Sequence, residues 1–251
     1  MRPNLLILGG TTEATALAHA VADRSIDATL SFAGRVERVK RQPVPIRIGG
    51  FGGAKGLTDW LRENRITHVV DATHPFAAQM SRNAVAACAE ADVPLIALTR
   101  PPWRPEPGDS WQTVPDIPAA VAALAGQPRR VMLAVGRMHL EAFAAQPQHF
   151  YLLRLVDPPA SPPPLPRHHV LVSRGPFTVA EDTGLMQAHA IDLVVSKNAG
   201  GTGARAKIDA ARSLGLPVLM IDRPALPARR EVGTPEAVLD WLAHSGADLG
   251  V

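Results

Sequence analysis

Two glycines that follow a four-residue apolar run and precede a pair of hydroxyl side chains are the residues of this chain best suited to hold a phosphate. Leu5-Leu6-Ile7-Leu8 runs into Gly9-Gly10-Thr11-Thr12-Glu13-Ala14, the spelling of a buried strand that stops at glycines and gives way to a helix. The glycines let the backbone approach a diphosphate. Thr11 or Thr12 can cap the helix, and the N–H groups of its first turn attract anionic oxygens. The strict G-x-G-x-x-G is not met, because Thr11 stands at its second glycine and Ala14 at its third. A turn that only reverses the chain has the same spelling.

In a parallel sheet the ligand crevice lies beyond the carboxyl ends of the strands, so the polar residues after each predicted strand are the next candidates. The second strand ends Ser31-Phe32-Ala33-Gly34-Arg35, about twenty residues past the glycine turn, where an acid would bind the ribose hydroxyls of NAD. No acid stands there. Arg35, with Ser31 and Gly34 beside it, can instead pair with a 2′-phosphate, which favours NADP(H) over NAD(H); a solvated arginine is the plain alternative. Gly49-Gly50-Phe51-Gly52-Gly53 permits close backbone approach to a ligand, Gly52 being the candidate contact, and a flexible turn would look the same. In Asp71-Ala72-Thr73-His74-Pro75, Pro75 suits a first helical position, with Thr73 or His74 near the cap. His74 then faces the crevice, either to hold the nicotinamide end or to move a proton near neutral pH, or it merely satisfies the turn.

The second half carries Ser196-Lys197-Asn198-Ala199-Gly200-Gly201-Thr202-Gly203, a strand end and glycine run leading to a helix, hence another anion-binding candidate without Walker spacing. Arg100 and Arg223 end equivalent predicted strands and Arg137 follows another, so their guanidiniums could converge on an anionic substrate. Arg154 within Leu153-Arg154-Leu155 is a charge in an apolar strand and demands a partner, from protein or ligand. The single tyrosine, Tyr151, has Leu155 rather than lysine four residues on, which removes the Tyr-Lys chemistry of short-chain reductases. Cys88 lies in an apolar, alanine-rich helix, a poor setting for a thiolate. His168-His169 lacks a cysteine or carboxylate at ligand spacing, so no metal is expected.

The elements that must position these residues alternate between strand and helix. Strands are predicted at 5–8, 29–32, 47–48, 68–71, 95–98, 131–135, 151–156, 170–173, 193–196 and 218–221, with helices near 13–23, 57–64, 76–91, 179–188 and 205–214. Such alternation implies an α/β fold of parallel sheets flanked by helices. Residues 68–73 echo 193–198, and 93–101 echo 216–224, so two Rossmann-like lobes with a cleft between them are expected. The proline-rich stretch 101–108 marks a stiff linker, dividing a cofactor domain (1–100) from a substrate domain (101–251). With 251 residues, 46% of them hydrophobic, the chain can build packed cores. One cysteine, no secretory segment and no membrane-length apolar run point to a soluble, cytoplasmic protein without disulfides. A net charge of +3 with 4% aromatic residues gives no platform for nucleic acid.

These segments together resemble the precorrin-6A reductase family of cobalamin biosynthesis. The resemblance runs from Leu6-Ile7-Leu8-Gly9-Gly10-Thr11-Thr12-Glu13-Ala14 through Asp71-Ala72-Thr73-His74-Pro75-Phe76-Ala77, Met80-Ser81-Arg82-Asn83-Ala84, Arg100-Pro101-Pro102-Trp103 and Leu153-Arg154-Leu155. It continues through Ser196-Lys197-Asn198-Ala199-Gly200-Gly201, Lys207-Ile208-Asp209-Ala210-Ala211-Arg212 and Asp222-Arg223-Pro224. It implies NADPH-dependent reduction of one double bond in a polycarboxylate tetrapyrrole, yielding precorrin-6B or its cobalt-containing counterpart. Expected cofactor contacts are Gly9, Gly10, Thr11, Thr12, Glu13, Ser31, Gly34, Arg35, Gly52, Thr73 and His74. Arg100, Arg137, Arg154, Ser196, Lys197, Asn198, Gly200, Gly201 and Arg223 are expected to hold the macrocycle. Two rival readings involve no turnover: an NADPH-responsive regulator that binds the cofactor, and a tetrapyrrole carrier that uses only the basic cleft.

Overall fold

The computed structural model describes residues 2–33, 41–159, 161–173 and 175–245. The chain forms two compact units, Met1–Pro101 with Ala225–Val251, and Pro102–Pro224. The first unit opens with β1 (Asn4–Leu8), α1 (Thr12–Ala22), β2 (Asp27–Phe32) and β3 (Ile46–Ile48), followed by α2 (Gly53–Glu63), β4 (His68–Asp71), α3 (Ala78–Ala91) and β5 (Leu95–Leu98). The second contains β6 (Ser110–Val114), α4 (Ile117–Ala123), β7 (Arg130–Ala134), two short 3-10 turns, β8 (Phe150–Leu155), β9 (His168–Val172), α5 (Val179–Ala188), β10 (Leu193–Lys197), α6 (Ala206–Ser213) and β11 (Pro217–Ile221). The chain then returns to the first unit with β12 (Arg230–Val232) and α7 (Pro235–Ser245).

Each unit holds a six-stranded sheet, ordered β12-β5-β4-β1-β2-β3 in the first and β6-β11-β10-β7-β8-β9 in the second. Every pairing is parallel. The strand order reverses between β1 and β4, and again between β7 and β10, which makes those two carboxyl edges the switch points where ligands of such sheets bind. The echoed segments take matching places, with β4 answering β10 and β5 answering β11. Parallel strands covered on both faces must be apolar throughout, and β1 shows why. Leu5 and Ile7 pack with Leu17, Val21 and Trp241, whereas Leu6 and Leu8 pack with Leu57, Leu61, Ala84 and Cys88.

The expected boundary at 101–251 is corrected, because residues from Ala225 onward belong to the first unit. β12 pairs with β5 through Arg230–Ile96 and Val232–Leu98. The apolar face of α7 buries Val238, Leu239, Trp241 and Leu242 in the same core as Leu5 and Ile7. Without this return β5 would be an open edge and one face of the sheet would keep α1 alone. In the second unit β6 fills the equivalent outer place beside β11.

Two further expectations change. Helix α3 begins at Ala78, not at Pro75, because Asp71 Oδ1 accepts from Thr73 N–H (3.1 Å) and Thr73 Oγ1 (2.6 Å), and the Ala77 N–H donates to the His74 carbonyl (2.7 Å). The aspartate thus organises its own turn and delays the helix. Arg154, whose charge required a partner, finds it within the fold: it is ion-paired with Asp182 in the first turn of α5, and its guanidinium lies 4.2 Å from the centre of the Phe177 ring. Thr178 and Glu181 close a capping box around that helix start, which fixes Asp182 against β8.

Trp241→Ala should cost about 3–5 kcal/mol of stability, as expected for removing a buried aromatic side chain, read by urea denaturation as loss of the first unit's transition. Asp182→Ala leaves the Arg154 charge buried and alone and should cost about 3–5 kcal/mol, whereas Arg154→Met with Asp182→Leu should recover most of it. Equal stability of single and double variants would show that the ion pair does not hold α5 to β8.

Candidate active site

At the carboxyl edge of β1 the backbone is shaped by two glycines. A Cβ on Gly9 would lie 2.6 Å from Leu30 Cδ1, and Gly10 has φ +120° with open space where a side chain would be. The Thr11 hydroxyl accepts from the Ala14 N–H (3.1 Å) and donates to the Ala72 carbonyl (2.8 Å). One side chain therefore caps α1 and ties it to the end of β4. Thr12 is exposed beside it and donates to Glu13 (3.2 Å). Glu13 would repel an anion at this helix start, but Arg100 lies 3.3 Å from it and offsets its charge. Arg100, expected to hold the macrocycle, thus pairs with Glu13 at the glycine turn of the first unit.

Around this turn stand the other expected cofactor residues. Ser31 is buried at the end of β2, and its carbonyl accepts from the Gly9 N–H (2.8 Å). Asp71 is 2% exposed at the end of β4 and is ion-paired with Arg229, whose Nε also lies 3.2 Å from Glu231. Through Asp71 this pair fixes Thr73. His74 Nδ1 accepts from the Phe76 N–H (3.2 Å), so the neutral ring carries its proton on Nε2. Gly52 is left-handed (φ 81°) immediately before α2. Gly34 and Arg35 lie outside the described residues. Cys88, buried among the helices behind β4, has its thiol pushed up to about 12 by burial, with the charge of Asp71 adding to the effect, which removes it as a nucleophile.

The second unit gathers its candidates at the ends of β7, β8, β10 and β11. Asn198 is buried and grips the Trp103 backbone with both ends of its amide, Oδ1 to the N–H (2.7 Å) and Nδ2 to the carbonyl (3.0 Å). Trp103 in turn donates to the Gly201 carbonyl (2.6 Å). Arg223 donates to the carbonyls of Asn198 (3.0 Å) and Ala199 (3.1 Å). Asn198, Arg223 and Arg154, expected on the macrocycle, therefore hold the protein's own loops and helix. Gly200 and Gly201 are both left-handed (φ 70° and 69°), a succession that side chains with a Cβ rarely adopt. Ser196 is buried and bonds the Lys197 carbonyl (3.2 Å), Lys197 is half-buried, and Arg137 is exposed in a 3-10 turn after Gly136.

Three structural residues escaped sequence reasoning. Arg229 lies 158 residues from Asp71, so no local pattern could join them. Trp103 was read as linker, although an aromatic among prolines signals packing. Arg47, an arginine between two isoleucines directly before the glycine-rich loop, was read only as strand. Its guanidinium reaches Ser31 Oγ (3.3 Å) and the carbonyls of Gly49 (2.6 Å) and Gly50 (2.8 Å).

The first unit fits a dinucleotide on its own geometry. A parallel sheet reverses its order beside a glycine turn, Gly10 leaves open space over that turn, and α1 presents its amino terminus there with its acid neutralised. No helix among the described residues is long and apolar enough to cross a membrane. No group of three or more metal-binding side chains occurs among the described residues.

The family model described as precorrin-6x reductase CbiJ/CobK matches residues 4–243. The chain is 58% identical over 243 residues to a Rhodobacter capsulatus protein named precorrin-6A reductase, covering 97% of each. It is 45% identical over 244 residues to a Sinorhizobium protein of the same name, covering 97% of this chain and 94% of that one. A Priestia megaterium protein named cobalt-precorrin-6A reductase is 29% identical over 253 residues, covering 96% and 97%. A solved structure titled CobK precorrin-6A reductase superposes with a TM-score of 0.93 at 58% identity, covering 97% of each chain. With its sheet order, its glycine turn and a family match over nearly its whole length, the chain belongs to the precorrin-6x reductase family.

Proposed function

We propose that this chain reduces one double bond of precorrin-6A to give precorrin-6B in cobalamin biosynthesis, with NADPH as the reductant. The observation that carries the reading is the 58% identity to a precorrin-6A reductase over 97% of both chains. The cobalt-free substrate is favoured because relatives named for it are 45–58% identical, against 29%, 22% and 27% for those named for the cobalt form. NADPH is supported by the residues after β2, where an arginine, Arg35, replaces the acid that would favour NAD.

The nicotinamide supplies a hydride when bound, and one proton completes the reduction. Gly9, Gly10 and the amino terminus of α1 hold the diphosphate, with Thr11 fixing the turn and Arg100 neutralising Glu13. Thr12, Ser31 and Gly52 line the route toward the ribose, and Gly34 and Arg35 come next in sequence after β2. Thr73 and His74, set by Asp71 and Arg229, hold the nicotinamide end. In the second unit Arg137 and Lys197 supply positive charge to the macrocycle's carboxylates, and the Gly200-Gly201 backbone gives a close approach. Acceleration comes from holding two ring systems together and excluding water.

Full-length protein mixed with precorrin-6A and NADPH should lose absorbance at 340 nm in step with loss of precorrin-6A. Binding of both without this change would establish a carrier or regulator instead. His74→Asn keeps hydrogen-bonding capacity and should retain substantial turnover with an unaltered pH profile, while His74→Ala loses more. A fall of about 10²–10⁴ in single-turnover rate for His74→Asn, with both ligands still bound, would make His74 the general acid.

A further inference from the structure

We infer that Arg47 is a specificity-determining residue that reads the 2′-phosphate of the dinucleotide; the inference rests on the NADPH reading above. Its position follows from strand register. Ser31 pairs with Leu8 of β1 on one side and with Arg47 of β3 on the other, so these residues form one row at the carboxyl edge of the sheet. Paired residues in parallel strands project to the same face. The ribose of a dinucleotide bound at β1 lies against the end of β2, and Arg47 flanks that place from the next strand.

The guanidinium is built in rather than left in solvent. Its Cζ lies 3.7 Å from the centre of the Phe51 ring and 5.7 Å from that of Trp60, and those two rings meet edge to face at 5.5 Å. Its three hydrogen bonds, to Ser31 Oγ and the carbonyls of Gly49 and Gly50, all go to neutral acceptors. No carboxylate among the described residues pairs with it. Burial lowers its pKa, the direction expected of a cation partly desolvated without a counter-ion. A guanidinium has five N–H groups. The three bonds are made by Nη1 and Nη2, and Nε has no partner among the described residues, so the guanidinium keeps donors to offer a phosphate. The nearby start of α2 has no capping side chain and no acid in its first turn, so its N–H groups add positive potential.

Arg47 could serve the glycine loop alone, and the two roles separate cleanly. A staple would support every adenosine ligand equally; a phosphate reader supports only those bearing the 2′-phosphate. The full chain, Arg47→Ala and Arg47→Lys are titrated calorimetrically with adenosine 2′,5′-bisphosphate and with adenosine 5′-monophosphate. The parent should bind the bisphosphate more than about tenfold tighter. Arg47→Ala should weaken the bisphosphate by about ten- to a hundredfold, the loss of one charge-assisted contact, and change the monophosphate less than about twofold; Arg47→Lys should recover part of the difference. Equal weakening of both ligands, or an unchanged ratio in a parent that discriminates, overturns the role of Arg47 and leaves the NADPH reading standing. A parent that does not discriminate overturns both.

Discussion

Leu5, Leu6, Ile7 and Leu8 are buried on both faces of their sheet, and the rest of the first unit is arranged to satisfy that requirement. Burial of both faces demands a central strand with helices on each side. Leu5 and Ile7 take α1 and α7, and Leu6 and Leu8 take α2 and α3. Right-handed crossovers from a central strand then force the order to reverse beside it, which places Gly9 and Gly10 at the switch point. The nucleotide-binding geometry is thus a consequence of how one apolar strand is covered. Val131, Met132 and Leu133 of β7 meet the same requirement in the second unit, and β10 reverses the order there.

Guanidinium groups do much of the stitching at these edges. Arg229 ties the returning segment to Asp71, and Arg82 donates to the Ala225 carbonyl (2.9 Å), pinning that segment to α3. Arg223 gathers the loop after β10, and Arg154 fastens α5. An ion pair this buried stabilises little compared with apolar packing, but removing one partner is costly. Such pairs specify where irregular backbone sits. That matters here because the loops at the strand ends carry the site and have little apolar surface of their own.

The two edges differ in what they leave for a ligand. In the first unit Gly10 leaves open space over the glycine turn, and Glu13 at the α1 terminus is neutralised by Arg100. In the second, the most polar side chain of the loop, Asn198, is occupied by Trp103. Arg137 is exposed after β7, and Gly200 and Gly201 are left-handed after β10. The glycine turn at a switch point suits a reductase, and the thiol of Cys88 is held too basic to add covalent chemistry.

Periodicity and local signals determined much of this protein. The strands of both sheets other than β6 and β12, the glycine turn, a threonine cap at Thr11 or Thr12 and the doubled α/β pattern were legible because each is written in adjacent residues. Short polar strands were not. Ser110–Val114 and Arg230–Val232 are largely exposed and lack the apolar run that marks a central strand. Helices α4 and α7 lie outside the predicted helices, and an amphipathic helix does not say which sheet it will cover. Only the tertiary structure decided that Ala225 onward returns to the first unit, that Arg229 meets Asp71, and that Arg154 and Asn198 serve the fold. Those pairings are non-local: a charge states that it needs a partner, and only the folded chain supplies which one.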